Sequence, residues 1–298
     1  MTGGAGFIGS HVTERLVQLG KEVTLVDSLR TGRKENISRE VRFVRGDITD
    51  LEEVRANLRD VDLVFHAAAQ TSTPKSVEDP LLDFRINALG TLNVLRAALD
   101  SEVKKVVYCS TAAVFGQPRY LPVDEKHPFE PISPYGASKL AGELYCLAFY
   151  RTYGLRTVSL RFFNVYGPRE NLETTLDEVA LYLSSAMRNR AITVLGDGNQ
   201  SRDFVYVKDI ARALLLAADS KSAEGRAFNI GTGVETSIND LVDTIERVTG
   251  RKAVVRHKPW RKGDIHRSFA DISKARTILG FSPRYTLKDG IQELAGNL

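Results

Sequence analysis

The sequence predicts an α/β protein built on a doubly wound parallel sheet whose two faces are covered by helices. Two observations in the 298 residues lead to this fold class. Short apolar segments alternate with amphipathic helical ones through the first half, and a glycine-rich turn opens the first helix. The second half is less regular. We therefore expect a first domain over residues 1–165 and a smaller α/β lobe over residues 166–298, some segments of which return to the first domain.

The first half supplies most of the predicted sheet. A helix over 7–19 follows the glycine turn, because apolar residues recur there at helical spacing. Short apolar strands are predicted at 22–27, 41–44, 63–65 and 106–108, with helices at 51–58 and 80–99 between them. Strands that are apolar on both faces are typical of a parallel sheet covered by helices.

The second half contains shorter elements separated by Gly, Asp and Asn. A strand is predicted at 157–162 and a helix at 176–188. Further strands are expected at 192–195, 204–207 and 228–230, and further helices at 237–248 and 287–294. There is no internal repeat and no low-complexity linker, so these elements should form a packed lobe.

Composition excludes several classes of protein. The net charge is +4, with basic and acidic residues interleaved, which suits a small anionic ligand but does not indicate nucleic acid. No run approaches 18 apolar residues, so we expect no membrane span. The two cysteines, Cys109 and Cys146, cannot form a disulfide scaffold, and without a signal peptide we expect a cytoplasmic protein. The five histidines lack metal-ligand spacing, so no metal site is predicted.

The glycine turn predicts a phosphate-binding site of the Rossmann type. Gly3, Gly6 and Gly9 are spaced so that the backbone can turn tightly and approach a pyrophosphate at the N-terminus of the first helix. Asp27 ends the next strand, where a carboxylate binds the ribose hydroxyls and repels a 2′-phosphate. NAD is therefore favoured over NADP, although Arg30 and Arg33 lie nearby and weaken that preference. The alternative is a turn used only for packing.

A second constellation predicts proton transfer. Tyr135 and Lys139 are four residues apart, on one face of a predicted helix. We expect the lysine ammonium to lower the pKa of the tyrosine so that it can act as a base. Thr111 follows a predicted strand, at the carboxyl edge where doubly wound sheets bind ligands, and offers a hydroxyl to the reacting group.

These motifs resemble an extended short-chain dehydrogenase/reductase of the NAD-dependent nucleotide-sugar epimerase/dehydratase family. The resemblance covers nearly the whole chain in the family's order. It is carried by these segments: TGGAGFIGSH after Met1, GDI at 46–48, FHAAA at 65–69, NALGT at 87–91, STAAVFG from Ser110, SPYGASK from Ser133, RFFNVYGPR at 161–169, SRDFVYVKD at 201–209 and FNIGTG at 228–233.

The resemblance implies which residues hold the cofactor and carry the chemistry. Thr111, Tyr135 and Lys139 would be catalytic. The residues implied to bind NAD are Gly3, Gly6, Phe7, Ile8, Gly9, Asp27, Ser28, Asp47, Ile48, Ala67, Ala68, Ala69, Asn87, Tyr135, Lys139 and Phe162. Phe162 replaces a tyrosine found near the nicotinamide in some relatives.

The resemblance leaves several reactions open, and two alanines narrow them. Dehydratases of this kind carry an Asp-Glu pair directly after the catalytic threonine, and decarboxylases usually carry a Glu two residues after it. Ala112 and Ala113 stand at these positions and can transfer no proton. The implied activity is NAD-dependent 4-epimerisation of a UDP-hexose through a 4-keto intermediate. The alternatives are a 4-epimerase of UDP-glucuronate or of another nucleotide sugar, and a non-catalytic NAD-binding relative.

The resemblance also implies a nucleotide-sugar site. Thr111 and Tyr135 would contact the sugar, Asn164 the diphosphate region, Arg202 and Arg261 the phosphates, and Asp264 the uridine ribose. Ser268 stands where epimerases restricted to glucose and galactose carry a tyrosine, so we expect a roomier pocket that admits N-acetylhexosamines. Homodimerisation through two helices, one of them the Tyr135 helix, is typical of the family.

The start of the chain carries one further expectation. Relatives have a strand of about five residues before the glycine turn, in the middle of the sheet. Met1 stands where that strand would end. We therefore expect that the first strand is missing from the sequence and that the native chain begins a few residues further upstream.

Overall fold

The computed structural model describes residues 1–170, 177–260 and 264–296. Its α-helices begin and end at caps that the sequence supplies: for example, Asp50 caps one helix by accepting from two backbone N–H groups, and Gly154 ends another in the left-handed conformation. The α-helices in the described residues are α1 Phe7–Gln18, α2 Leu51–Asn57, α3 Thr73–Glu78, α4 Pro80–Phe84, α5 Gly90–Asp100, α6 Pro134–Tyr153, α7 Glu178–Met187, α8 Val207–Asp219, α9 Ile238–Thr249 and α10 Leu287–Ala295.

The strands form one main parallel sheet and three small pairs. They are β1 Thr24–Asp27, β2 Arg42–Arg45, β3 Leu63–His66, β4 Lys105–Thr111, β5 Arg156–Phe162, β6 Asn164–Tyr166, β7 Ile192–Leu195, β8 Ser201–Arg202, β9 Phe204–Tyr206, β10 Arg226–Ile230, β11 Thr236–Ser237 and β12 Val255–Lys258. The main sheet consists of the parallel pair β1–β2 and of four parallel strands in the order β10-β5-β4-β3. The small pairs are β6–β9 and β7–β12, both parallel, and the antiparallel β8–β11.

Residues 1–3 join the two parts of the main sheet. Thr2 forms parallel bridges to both Val26 and His66. Its N–H donates to Phe65 O at 3.0 Å, and the N–H of Gly3 donates to Val26 O at 2.9 Å. These residues therefore lie between β1 and β3, in the middle of the sheet, where relatives were expected to have the first strand that this chain was expected to lack. That the native chain begins further upstream stays a prediction.

Helices cover the sheet on both faces and divide the core in two. On one face α1 packs against α8, over a cluster that includes Val12, Val158 and Leu214. On the other face α2, α5 and α6 pack over Val94, Val106 and other apolar residues. The doubly wound parallel sheet predicted from the alternating pattern is confirmed.

The remaining small strands, with α7, α9 and α10, surround a third apolar core that includes Leu183, Val194 and Ile245. β10 lies in the main sheet beside β5, although it comes late in the chain. The division of the chain at residue 165 stays a prediction.

One predicted helix differs from the structure, and several elements were not predicted. The helix expected over 80–99 is interrupted, because a π-helical turn at Arg85–Leu89 separates α4 from α5. The sequence reading missed α8 and β12. The first could have been found, since Val207, Ile210 and Leu214 repeat at helical spacing and are fully buried. Across the described residues no helix combines the length and the hydropathy that a membrane span requires.

Candidate active site

The glycine turn is shaped by close backbone contacts. Gly3 has a φ of +71°, and a Cβ there would lie 2.5 Å from Ala68 N. A Cβ on Gly9 would clash with the carbonyl oxygen of Gly3. Larger residues at either position would push the turn away from β3 and from the start of α1. The turn is therefore held against Ala67 and Ala68, which directly follow β3 and which the sequence had assigned to the same site.

The N-terminus of α1 is free to receive an anion. Gly6 is its N-cap residue, and no side chain caps the helix there. A helix leaves its first N–H groups without intrahelical partners and carries a partial positive charge at this end. Phe7, Ile8 and Gly9 form this first turn. The donor set therefore fits the pyrophosphate of a dinucleotide.

Asp27 fits the adenosine ribose. It ends β1, is buried, and accepts hydrogen bonds from Ala5 N at 3.0 Å and Leu29 N at 2.8 Å, so its carboxylate is fixed beside the turn. Ser28 follows it directly. Arg30 forms an ion pair with Asp47 at 3.6 Å, so part of its charge is offset by a carboxylate.

Asp47 and Ile48 lie near the same edge of the sheet. The Oδ1 atom of Asp47 accepts from both the N–H and the hydroxyl of Thr49 at 2.9 Å. Ile48 is buried, and its Cδ1 would lie 2.6 Å from a Cβ on Gly90. The side chain of Ile48 thus fills the space that Gly90 leaves open at the start of α5.

A buried polar cluster surrounds Asn87. The Nδ2 of Asn87 donates to Gln70 O at 2.9 Å, to Asp83 Oδ1 at 3.1 Å and to Ser138 Oγ at 3.1 Å. Ser138 lies on α6 and donates to the other oxygen of Asp83 at 2.5 Å. The cluster ties the segment after Ala69 to the helix that carries the predicted catalytic pair.

α6 places Tyr135 and Lys139 at the edge of the sheet. Ser133 caps the helix by accepting from Gly136 N at 3.1 Å, and Pro134 occupies its first position. A Cβ on Gly136 would lie 2.6 Å from Ala113 O, so the helix approaches the turn after Thr111 closely. Tyr135 is half-buried and Lys139 is buried, at 3 % exposure.

Thr111 ends β4, close to the start of the Tyr135 helix. Its side chain acts to lower the pKa of Tyr135. Thr111 also pairs with Phe162 across β4 and β5, so these two predicted residues lie side by side. The structure therefore brings Thr111, Tyr135, Lys139 and Phe162 to one region.

The pKa of Tyr135 differs from our expectation. Burial raises it to about 12, and this effect outweighs the lowering effect of Thr111. Burial also lowers the pKa of Lys139 to about 8. We expected the Lys139 ammonium to lower the pKa of Tyr135 below its usual value. For the protein without bound cofactor this expectation is wrong. In a buried site, the desolvation of the phenolate is the larger effect.

The predicted nucleotide-sugar residues lie along β6, β8 and the segment after residue 263. Asn164 begins β6 and its N–H donates to Asp203 O at 3.0 Å. Arg202 in β8 donates from Nη1 to Ser201 O and Ile265 O, both at 2.8 Å. The N–H of Ser268 donates to Ser201 O at 3.2 Å. Arg261 falls outside the described residues.

Glu178 is a charged residue of this region that the sequence reading missed. Burial raises its pKa, Arg202 lowers it and Asp264 raises it. Two predicted nucleotide-binding residues thus act on one carboxyl group at the start of α7. No motif in the sequence marks Glu178, because its place near Arg202 and Asp264 depends on the packing of segments that are distant in the chain.

A comparison with protein families now identifies the chain. The model of the NAD dependent epimerase/dehydratase family matches residues 1–231. The chain belongs to this family. Family membership agrees with the open helix N-terminus, the buried Asp27 and the Tyr135–Lys139 helix, and NAD is the cofactor.

Solved structures of epimerases superpose over almost the whole chain. UDP-glucose 4-epimerase of Thermotoga maritima with UDP-glucose is 38 % identical, covers 99 % of this chain and 96 % of its own, and has a TM-score of 0.96. The Thermus thermophilus UDP-glucose 4-epimerase complex with NAD is also 38 % identical, with the same coverage and a TM-score of 0.92. UDP-N-acetylglucosamine 4-epimerase of Methanobrevibacter ruminantium, in complex with UDP-N-acetylmuramic acid, is 36 % identical with the same coverage and a TM-score of 0.94.

For this member of the family, the described residues contain no group of three or more His, Cys, Asp or Glu side chains arranged to hold a metal ion.

The Asn87 cluster and Glu178 extend the site beyond the motifs. Gln70, Asp83 and Ser138 come together because α4 packs against α6, which joins segments that are far apart in the chain.

Proposed function

We propose that this chain is an NAD-dependent 4-epimerase of UDP-hexoses that interconverts UDP-glucose and UDP-galactose. The observation that carries the proposal is the close approach of the Tyr135–Lys139 helix to the turn after Thr111, together with the uncapped helix N-terminus at the glycine turn. The relatives that match almost the whole chain include epimerases of UDP-glucose and of UDP-N-acetylglucosamine. A 4-epimerase needs no further acid or base, because one tyrosine can both remove and return the hydroxyl proton.

In the proposed reaction Tyr135 removes the proton from the sugar 4-hydroxyl and later returns it. Thr111 orients that hydroxyl, and the Lys139 ammonium favours the phenolate. Bound NAD would supply the hydride acceptor and donor for C4 and a positive charge near the tyrosine. Since burial raises the pKa of Tyr135 to about 12, positive charges are needed to make it a base near neutral pH.

The residues after Thr111 favour epimerisation over dehydration. Ala112 and Ala113 begin a short 3₁₀ turn that packs beneath Tyr135, with Gly136 close to Ala113 O. Neither side chain can protonate a leaving hydroxyl or remove a C5 proton. The 4-keto sugar would therefore be turned over and reduced rather than dehydrated.

The nucleotide would be held by the lobe while the sugar turns. Arg202 is fixed by two carbonyl oxygens, which leaves its planar guanidinium oriented for a phosphate. The proposed contacts to the diphosphate and the uridine ribose also include Asn164, Arg261 and Asp264. Arginine contacts to a diphosphate are well suited to hold one end of a substrate whose other end must rotate.

Ser268 supports a pocket wide enough for N-acetylated sugars. Its backbone is tied to Ser201 next to Arg202, so position 268 is close to the proposed phosphate contact. The similarity to an epimerase of UDP-N-acetylglucosamine agrees with this proposal. We propose that the chain also accepts UDP-N-acetylhexosamines.

A homodimer is proposed from an exposed apolar face. Leu81 and Phe84 of α4 are 68 % and 54 % exposed, and Leu144 of α6 is 51 % exposed, on two helices that pack together. Such a patch is typical of a subunit interface. Sedimentation should give a dimer that Leu144→Glu weakens. The cytoplasmic location and the absence of a nucleic-acid partner stay predictions.

Tight cofactor retention tests the proposed mechanism. An epimerase must keep NAD through both hydride transfers, so the purified protein should contain NAD and turn over without added cofactor. Release of the bound nucleotide by denaturation and its quantification would measure this. Protein that arrives without NAD and consumes added NAD on every turnover would contradict the mechanism.

A further inference from the structure

Tyr108 lies under the Lys139 side chain. It belongs to β4, three residues before Thr111, and is fully buried. The Nζ of Lys139 stands 4.3 Å from the centre of the Tyr108 ring. The Tyr108 hydroxyl donates to Lys139 O at 3.2 Å. One aromatic residue thus contacts both the ammonium and the backbone of Lys139.

Gly142 makes room for this arrangement. A Cβ at position 142 would lie 2.5 Å from the Tyr108 hydroxyl oxygen, so any larger residue there would displace the tyrosine or the helix. The absence of a side chain lets α6 approach β4 closely. The Tyr108 ring therefore packs against α6 between the Lys139 ammonium and Gly142.

The neutral side chain of His66 packs next to the Tyr108 ring. The two rings are 5.5 Å apart, and the nitrogens of His66 lie 2.7 Å from Thr2 Oγ1 and 3.0 Å from Thr91 Oγ1. Since Thr91 donates its proton to Asn87 O at 2.5 Å, His66 must donate from Nε2 and accept at Nδ1. Burial, assisted by the charge of Lys139, lowers the pKa of His66 to about 3, so it stays neutral.

The other charged or titratable groups around Lys139 come from β4, α4 and α6. Cys109, Cys146, Asp83 and Glu143 each raise the pKa of Lys139, while burial lowers it to about 8. Both carboxylates have other partners, because Asp83 accepts from Ser138 and Glu143 from Arg161. The Lys139 ammonium also lies over the face of the Tyr108 ring, which is the aromatic contact of this side chain.

We propose that Tyr108 is a positioning residue that keeps the Lys139 ammonium charged and aimed at the active site through its ring face. The electron-rich face of an aromatic ring attracts a cation, most strongly where water is excluded. The hydroxyl contact to Lys139 O fixes the ring against the helix. The proposal rests on the proposed function only for the role of Lys139 in the reaction.

The ring can be tested without changing its shape. Tyr108→Phe should retain the contact, and phenylalanines carrying one, two and three ring fluorines at position 108 should weaken it stepwise. Two readouts apply to the NAD-loaded protein: the pH titration of the Lys139 ¹³Cε resonance, assigned by its loss in Lys139→Arg, and the pH profile of kcat. Because the ammonium form is lost as pH rises through its pKa, the Lys139 titration and the alkaline limb of the kcat profile should both move to lower pH along the series, by about one pH unit in total.

The outcomes separate the two claims. If the resonance and the kcat profile stay at the same pH throughout the fluorinated series, the role of Tyr108 is wrong. If kcat falls equally in all variants without any shift, the ring serves only packing, and the proposal is again wrong. If the unaltered protein interconverts no nucleotide sugar, the proposed function fails, while the Lys139 titration still decides the role of Tyr108.

Discussion

The carboxylate of Glu143 and the guanidinium of Arg161 form an ion pair inside the interface between α6 and the sheet. The two residues are 6 % and 4 % exposed, and Arg161 Nε lies 3.0 Å from Glu143 Oε2. Ser110, the residue before Thr111, also donates to this carboxylate at 2.9 Å. The pair thus joins the helix of Tyr135 to the two strands that end at the active site.

Glu143→Ala should destabilise the fold strongly, because it leaves the Arg161 charge buried without its partner. We expect a loss of about 3–5 kcal/mol in the free energy of unfolding, measured with urea. The control is Asp62→Ala, which breaks the exposed pair with Lys104 and should cost less than about 1 kcal/mol. Equal small losses in both variants would show that the buried pair is not important for stability.

Gly9→Ala should abolish NAD binding, since its Cβ would clash with Gly3 O in the phosphate-binding turn. Gly250→Ala is the matched control: it has a φ of +66° with nothing within 4 Å, so it should lose about 1 kcal/mol of stability and no cofactor. The NAD content of the purified variants measures the difference. Full NAD occupancy in Gly9→Ala would contradict the assigned turn.

Tyr135→Phe should lower kcat at least about a hundredfold, because general base catalysis is lost while the ring remains. NAD should still bind, because Lys139 and the aromatic ring remain in place. Thr111→Val should also lower kcat, whereas Thr111→Ser keeps the hydroxyl and should retain much of the activity. Steady-state rates at saturating substrate decide this. Comparable activity of Tyr135→Phe and the unaltered protein would exclude Tyr135 as the base.

Ser268→Tyr should suppress activity on UDP-N-acetylglucosamine more than activity on UDP-glucose, because a bulky side chain would fill the space for the acetamido group. Ser268→Ala, which keeps the position small, should affect neither substrate. The ratio of kcat/KM for the two sugars measures the effect. An equal loss on both substrates would show that position 268 does not select the sugar.

The sequence predicted those features that depend on local pattern. Strands such as β4 and β5 were found within one or two residues except at the carboxyl end of β4, because their apolar runs are bounded by turns. The glycine turn and the Tyr135 helix were recognised because their residues are adjacent in the chain. The interruption of 80–99 by a π-helical turn was not, since no residue there breaks a helix.

Contacts between distant segments could not be predicted. The partners of Asp83, Glu143 and Tyr108 come from different helices and strands, and their polar side chains resemble ordinary surface residues in the sequence. The prediction of a lowered pKa for Tyr135 was wrong for a related reason. Four-residue spacing indicated a nearby ammonium, but the depth of burial, which raises that pKa to about 12, is a property of the packed fold.

The central claim is that this chain inverts C4 of a UDP-hexose. The most direct measurement is to incubate the purified protein with UDP-galactose, without added cofactor, and to follow the sugar anomeric signals by proton NMR. The account predicts formation of UDP-glucose until the two reach a constant ratio, and the same ratio when the reaction starts from UDP-glucose. No interconversion from either side, or accumulation of a dehydrated or decarboxylated sugar, would contradict it.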